Sequence, residues 1–146
     1  MFSKTCEYGI RATIYVALQS MDGHLPNLKD IAREIESPEA FTAKIMQLLV
    51  RANIVYSVKG ASGGFGIEPR RMKKIKLEDI AVAVDGNFDR KICVLGLKAC
   101  SEEFPCPVHN TYKHIKKDLQ SMLQNTSLLD MSENIRNGKS YLKIDL

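Results

Sequence analysis

The chain has 146 residues, of which 45% are hydrophobic, so it is long enough for one domain with a real core. No apolar run approaches the length of a membrane span, and the N-terminal MFSKTCEYGIR has no apolar region of the signal-peptide type. The sequence therefore predicts a soluble cytoplasmic protein with no membrane partner. In that compartment, clustered cysteines are more often metal-binding or redox-active than disulfide-bonded.

The net charge of +4 lies in the first half of the chain. Residues 1–75 carry 11 Lys and Arg against 7 Asp and Glu, whereas residues 76–146 carry 10 of each. This modest asymmetry hints at an anionic partner such as nucleic acid, although a solvated basic face is the simpler explanation of charge alone.

Three helices are predicted in the first 52 residues. The first spans residues 3–21, which are apolar on most of their surface, and Cys6 is expected in its buried side. Asn27 can cap a two-turn second helix, with Asp30 completing a partial capping box. The third spans residues 38–52, with Ser37 as its cap and Pro38 as its first residue. The side chains predicted to face the core are Phe41, Ile45, Leu48 and Leu49. Those predicted to face solvent are Thr42, Lys44, Gln47 and Arg51.

A β-hairpin is predicted next. Residues 54–58 have the composition of a strand, residues 59–64 form a glycine-rich basic turn, and residues 65–67 return. The turn lacks the GxxxxGK[ST] spacing of a nucleotide-binding loop, and no helix starts directly after it. The order of helix, short helix, tight turn, helix and glycine-tipped hairpin is that of a winged helix-turn-helix. A protein-interaction module is the alternative for the same order.

The remaining chain predicts a short helix over residues 77–84, ending at Asp85-Gly86, and then the cysteine loop. A longer helix runs from near Pro107 to about Gln124. Ser127 can cap a last short helix that Asn137-Gly138 ends, and the final eight residues are polar and expected to be loose. The long helix carries an apolar stripe that needs a partner surface, formed by Tyr112, Ile115, Leu119, Met122 and Leu123.

A winged helix would place the start of its third helix in the DNA major groove and its hairpin near phosphates. The predicted DNA-binding residues are Ser37, Glu39, Ala40, Thr42, Ala43, Lys44, Arg51, Lys59, Gly60, Ser62, Gly63 and Gly64. Lys44 is the best candidate for reading a base, because lysine can bond to guanine O6 and N7.

The cysteines follow the pattern Cys93-x6-Cys100-x5-Cys106-x2-His109. This is neither the CxxC arrangement of a zinc ribbon nor a bacterial ferredoxin run. On these residues alone, a metal cluster, a reactive-thiol sensor and plain packing all remain open. A helix beginning near Pro107 would place Cys106 at a positive helix end, which favours its thiolate.

Several segments resemble the Rrf2-type winged-helix transcription regulators, in particular their IscR- and NsrR-like, iron–sulfur cluster sensing members. The resemblance covers residues 1–125 and lies in SKTCEYGIRA, in LKDIAREI with SPEAFTAKIMQLLVRANIV, and in SVKGASGGFGI followed by the three-cysteine loop. It implies a homodimer, with the long C-terminal helix crossing its twin, bound to a palindromic operator in double-stranded DNA.

The resemblance also implies an iron–sulfur cluster, with 2Fe-2S favoured over 4Fe-4S. Cys93, Cys100 and Cys106 match its cysteine ligands, His109 is the first candidate for a further ligand, and Glu7, reaching from the other subunit, is the second. The chain departs from the family pattern in its first cysteine gap, six residues instead of five. It also differs at Ala43, Lys44, Lys59 and Gly66, so a relative's operator should not be carried over.

The sequence thus predicts a mainly α fold with a small hairpin wing. The expected units are a DNA-binding domain at 1–85, a cluster loop at 86–107, and a dimerisation helix with its tail at 108–146. The expected function is a regulator whose operator affinity is set by the cluster, and not an enzyme. The alternatives are a regulator of the same fold that responds to thiol oxidation or a small molecule, a thiol-dependent enzyme, and a partner-binding scaffold.

Overall fold

The computed structural model describes residues 2–86 and 93–143. Within those ranges, the mainly helical fold with one small antiparallel hairpin is confirmed. A short 3-10 helix at Pro69–Arg71, which the sequence did not predict, precedes α4. The helices are α1 (Lys4–Met21), α2 (Leu28–Glu34), α3 (Glu39–Arg51), α4 (Leu77–Asp85), α5 (His109–Asn125) and α6 (Leu128–Arg136), and the strands are β1 (Tyr56–Val58) and β2 (Gly64–Gly66).

Helix α1 lies at the centre of the core. Ser3 caps it, and its Oγ accepts a hydrogen bond of 3.0 Å from the N–H of Cys6. Gly9 allows α4 to approach closely, because a Cβ there would lie 2.6 Å from Cγ2 of Val84. Cys6 has no exposed surface, which confirms its predicted place in the core.

The helix-turn-helix is formed by α2 and α3. The predicted capping box is confirmed, since the Asn27 side chain accepts from the N–H of Asp30 and Asp30 accepts from that of Asn27. Glu36 turns the chain with a φ of 54°, in the left-handed region. Helix α3 then starts at Glu39, one residue later than predicted, so that Pro38 and not Ser37 precedes its first turn.

The orientation predicted for Thr42 is wrong. Thr42 has no exposed surface, and its hydroxyl donates a 3.0 Å hydrogen bond to the carbonyl of Pro38. It lies three, four and seven residues before Ile45, Met46 and Leu49, so these four residues share the buried face of α3.

The hairpin is shorter than predicted and is attached to the body of the domain. Ile54 and Val55 are buried and precede β1, which pairs with β2 from Tyr56↔Gly66 to Val58↔Gly64. The N–H of Phe65 donates a 2.9 Å hydrogen bond to the carbonyl of Pro26, just before α2. The hairpin is therefore held against the loop that leads into the helix-turn-helix.

The C-terminal segment returns to the first domain. The predicted cap at Ser127 is confirmed, because its Oγ accepts from the N–H of Asp130 at 3.0 Å. Leu128 is fully buried in the core, and its N–H donates to the carbonyl of Ile75 at 2.8 Å. Helix α6 thus packs on α1 in the N-terminal core.

Part of the predicted loose tail is also attached. Leu142 packs against the core, and Nζ of Lys143 lies 3.4 Å from the Glu36 carboxylate. Residues 144–146, and the start of the predicted cluster loop at 87–92, lie outside the described residues. Across 2–86 and 93–143, no helix is long and apolar enough to cross a membrane.

Candidate DNA-binding face and cysteine loop

The outward face of α3 and the tip of the hairpin carry most of the predicted DNA-binding side chains. On and around α3, Glu39, Ala40, Lys44 and Arg51 are exposed, and Ala43 is half-buried. At the hairpin tip, Lys59, Gly60 and Ser62 are exposed, and Gly63 is half-buried. Gly60 has a φ of 104°, which makes glycine the natural residue for this turn.

Three of the predicted contacts are buried and do not lie on this surface. Ser37 and Thr42 pack inward, and the Ser37 Oγ is buried without a hydrogen-bond partner in the described part of the chain. Gly64 is covered by the loop before α2, where an added Cβ would lie 2.5 Å from the Leu25 carbonyl oxygen and 2.6 Å from that of Pro26. These three residues lie in the packed parts of the helix-turn-helix and the hairpin.

A groove of about 520 Å³ separates α3 from the hairpin. It adds two polar residues that were absent from the predicted DNA-binding set, Gln47 on α3 and Ser57 on β1. Gln47 could have been found from its spacing, because it lies three residues after Lys44 on the exposed side of the helix. The groove is lined by Leu28, Ala43, Gln47, Val50, Arg51, Ser57 and Phe65.

In the cysteine loop, Cys93 is buried, and Cys100 and Cys106 are half-buried. All are free thiols. Hydrogen bonds from the backbone N–H groups of Leu95 and Leu97 lower the pKa of Cys93, and the neighbouring Cys106 thiol and the Lys116 charge act in the same direction. The fold therefore favours a thiolate at Cys93, the form that metals and oxidants need.

Cys100 is paired with the predicted histidine. Its Sγ lies 3.5 Å from Nδ1 of His109, which is buried at the first position of α5. The other ring nitrogen, Nε2, is 3.4 Å from a Glu102 oxygen, close enough for an ion pair but without hydrogen-bond geometry. Glu102 also contacts Lys113, which lowers the pKa of that carboxyl. Helix α5 begins at His109, two residues after Pro107, so Cys106 lies three residues before its first residue.

These donors form two pairs, Cys93 with Cys106 and Cys100 with His109. No three Cys, His, Asp or Glu side chains within the described residues are gathered closely enough to hold a metal ion as they stand. The chemistry of the set nevertheless fits an iron–sulfur cluster. It offers three thiols, one of them with a lowered pKa, and a buried imidazole nitrogen that lacks a hydrogen bond within the described residues.

The two remaining acid–base groups of interest lie on α1. Glu7 is exposed and pairs with Lys4, its carboxylate 3.2 Å from Nζ. Ligation of a cluster in the partner subunit by Glu7 stays a prediction. Burial, together with the charge of Asp85, raises the pKa of Cys6 to about 12, so this thiol is protonated at neutral pH and inert.

Comparison with known proteins decides the family. The family profile described as Rrf2, iron-dependent transcriptional regulator, matches residues 2–134. The chain belongs to the Rrf2 family. It is thus a transcriptional regulator and not an enzyme, in a family whose members bind DNA.

Individual relatives show how broad the similarity is. A protein of Aquifex aeolicus described as an HTH-type transcriptional regulator is 32% identical over 133 residues, 90% of each chain. The regulator IscR of Yersinia enterocolitica is 27% identical over 127 residues, covering 87% of this chain and 76% of IscR. The structure of CymR, the global cysteine regulator of B. subtilis, superposes with a TM-score of 0.74 at 22% identity, covering 91% and 96% of the two chains. The last similarity shows the shared fold.

Proposed function

We propose that this Rrf2 protein acts as a homodimer on a palindromic operator, and that an iron–sulfur cluster in its cysteine loop sets its operator affinity. The observation that carries the DNA-binding part is the exposed face of α3 beside the hairpin tip. Lys44 on α3 and Lys59 on the hairpin flank a groove that contains Gln47, Arg51 and Ser57.

The geometry of a DNA duplex gives the protein groove between α3 and the hairpin a role in binding. When a helix enters the major groove and the hairpin reaches the adjacent minor groove, the phosphate strand between those grooves must pass between helix and hairpin. Arg51, Gln47 and Ser57 offer donors to phosphate along that path. Lys44 and Ala43 then face the base edges, and Lys59 faces the flanking phosphates or minor groove.

Selection of bound sequences from random DNA duplexes, followed by fluorescence anisotropy, tests this assignment. We expect Lys44→Ala to relax the preference at one base position by about 1–3 kcal/mol, because it removes a base contact. Lys59→Ala should weaken all sequences about equally, because it removes a phosphate contact. Lys139→Ala, an exposed lysine near the C-terminus, is the control and should leave both properties unchanged. Equal sequence preference in the unmodified protein and Lys44→Ala would contradict the base-reading role.

The dimer proposal rests on the apolar stripe of α5. Ile115 is 54% exposed and Met122 43% exposed, with Tyr112 and Leu119 half-buried between them. Leu123, which was predicted in the same stripe, is buried within its own chain. Residues 112, 115, 119 and 122 thus remain as a continuous apolar face, and a second copy of α5 would cover it symmetrically.

Ile115→Asp is expected to convert the dimer to a monomer at micromolar concentration, because a charge would be buried at the centre of the stripe. Sedimentation equilibrium measures the change directly. Ser121→Asp places the same charge on an exposed position on the other side of α5 and should remain dimeric. If both variants sediment as the unmodified protein does, the stripe is not the dimer contact.

We assign Cys93, Cys100, Cys106 and His109 as the residues that would hold the cluster, with Glu7 of the partner as the alternative to His109. The bound cluster would supply sensitivity to oxidation and to iron supply. The chain's own contribution is to place the donors between α4 and α5, with His109 on α5 itself. A change in the loop can therefore shift α5 and, through the dimer, the spacing of the two α3 helices.

The second candidate is direct thiol oxidation without a cluster. It is favoured by the contact between the Cys106 thiol and Cys93, whose pKa is lowered. Peroxide would oxidise the Cys93 thiolate to a sulfenic acid. The Cys106 thiol would then attack the sulfenic sulfur, forming the S–S bond as the S–O bond breaks and water leaves. The two candidates differ in the iron and sulfide content of the anaerobic protein.

A further inference from the structure

The net positive charge of this protein comes from a short segment that follows the hairpin. Residues 1–69, which contain α1 to α3 and the hairpin, carry 7 Lys and Arg against 7 Asp and Glu and are neutral. Residues 76–146 carry 10 of each and are also neutral. The net charge of +4 therefore equals that of residues 70–75, which contain Arg70, Arg71, Lys73, Lys74 and no acidic residue.

The fold holds this basic segment, residues 70–75, in one place. Met72 is fully buried and Ile75 is 6% exposed, so both fix the backbone in the core. Lys73 and Lys74, which lie between these anchors, are exposed. Neither lysine has an ion-pair partner among the residues described, whereas Arg70 pairs with Glu68 at 2.7 Å.

The basic segment meets the C-terminal end of α3. Nη2 of Arg71 donates a 2.5 Å hydrogen bond to the carbonyl of Asn53, two residues beyond the end of that helix. Arg71 and Lys74 also line an open groove of about 640 Å³ with Ala52 and Ile54. The basic segment therefore lies against the chain that leaves the C-terminal end of α3, two residues after Arg51.

Two acidic side chains share that groove, Glu78 and Asp79 at the start of α4. The Asp79 carboxylate is engaged by the backbone N–H of Lys76 at 2.7 Å. Lys74 lines this groove together with the two acidic side chains, whereas Lys73 does not line it. The basic segment thus retains charge that the fold does not neutralise.

We infer that the basic segment is a second DNA-contacting surface, which binds phosphates beyond the bases read by α3 and increases the salt-dependent affinity. This inference rests on the proposed DNA-binding function. A DNA duplex carries about one negative charge per 1.7 Å, so the cations of the basic segment would add phosphate contacts to those proposed for Arg51 and Lys59. DNA is the partner favoured by continuity with α3.

The test is the salt dependence of binding to the selected operator. The double variant Lys73→Gln/Lys74→Gln should lower the slope of log affinity against log salt by about 1 for each lysine in each engaged protomer. Its preferred sequence should stay that of the unmodified protein. Lys117→Gln/Lys139→Gln makes the same charge change at two exposed lysines elsewhere and should keep the original slope.

An unchanged slope in Lys73→Gln/Lys74→Gln, with folding verified by thermal denaturation, would overturn the inference while leaving the proposed function intact. An equal fall in slope for the control pair would also overturn it, because the effect would then follow net charge alone. If the unmodified protein bound no duplex at all, the proposed function would fail and the inference with it.

Discussion

Gly64→Ala is expected to displace the hairpin and weaken operator binding by about tenfold or more. The added Cβ would meet the carbonyl oxygens of Leu25 and Pro26 at 2.5 and 2.6 Å, and these backbone atoms cannot rotate away. The hydrogen bond from Phe65 to Pro26 would be broken. Overpacking of this kind typically costs about 1–3 kcal/mol of stability, and loss of the hairpin position would add its effect on binding.

Two measurements on the same preparation separate the loss of stability from the loss of DNA affinity. Urea unfolding gives the stability, and fluorescence anisotropy with the selected operator gives the affinity. Ser62→Ala is the matched control for stability, because Ser62 is exposed at the hairpin tip and its truncation creates no contact. Unchanged stability and unchanged DNA affinity in Gly64→Ala would show that the hairpin is not held by this contact.

Ile45→Ala is expected to lower the free energy of unfolding by about 2–5 kcal/mol. Ile45 is fully buried on α3, beside Met46 and Leu49 in the main hydrophobic core. Truncation removes buried apolar contacts and leaves a cavity that a packed core can only partly close. In a domain whose total stability is of the order of 5–15 kcal/mol, much of the protein could unfold at growth temperature.

Chemical denaturation measures the free energy of unfolding of Ile45→Ala, and Gln47→Ala is the control variant. Gln47 lies two residues away on the same helix but is exposed, so its truncation should change stability by less than about 0.5 kcal/mol. Gln47→Ala should instead weaken DNA binding. Equal stability losses in the two variants would contradict the assigned faces of α3.

Local chemistry made much of the fold predictable from the sequence. Asn27 with Asp30, and Ser127 with Asp130, cap helices through contacts spanning three residues, and such contacts depend little on the rest of the protein. Gly138 ends α6 with a φ of 71°, in the region that glycine tolerates. Hydrophobic spacing likewise indicated α1, α3 and α5 within one or two residues of their observed ends.

Tertiary contacts explain what the sequence did not reveal. Gly64 was predicted to lie in a glycine-rich basic turn, yet it is buried because the loop before α2 packs on it. Leu123 looked like part of an exposed stripe, yet it is buried in its own chain. Thr42 was recoverable in principle, since its spacing to Ile45, Met46 and Leu49 matches one helical face. Its polar character hid that pattern.

The candidate cysteine site was predictable in composition but not in geometry. The spacing and the family resemblance identified Cys93, Cys100, Cys106 and His109 as donors. The pairing of Cys100 with His109, and the engagement of that imidazole by Glu102, depend on how the loop folds against α5. The lowered pKa of Cys93 arises from backbone N–H groups, which no residue pattern marks.

We propose above all that this Rrf2 protein senses its signal through an iron–sulfur cluster bound by the cysteine loop. The most direct measurement is the iron and acid-labile sulfide content per monomer of protein purified without oxygen, with its visible absorption spectrum. We predict a coloured protein with about two iron and two sulfide per monomer, lost in Cys100→Ala while the secondary structure is kept. A colourless, iron-free dimer that still binds its operator would contradict the claim and assign the loop to thiol chemistry.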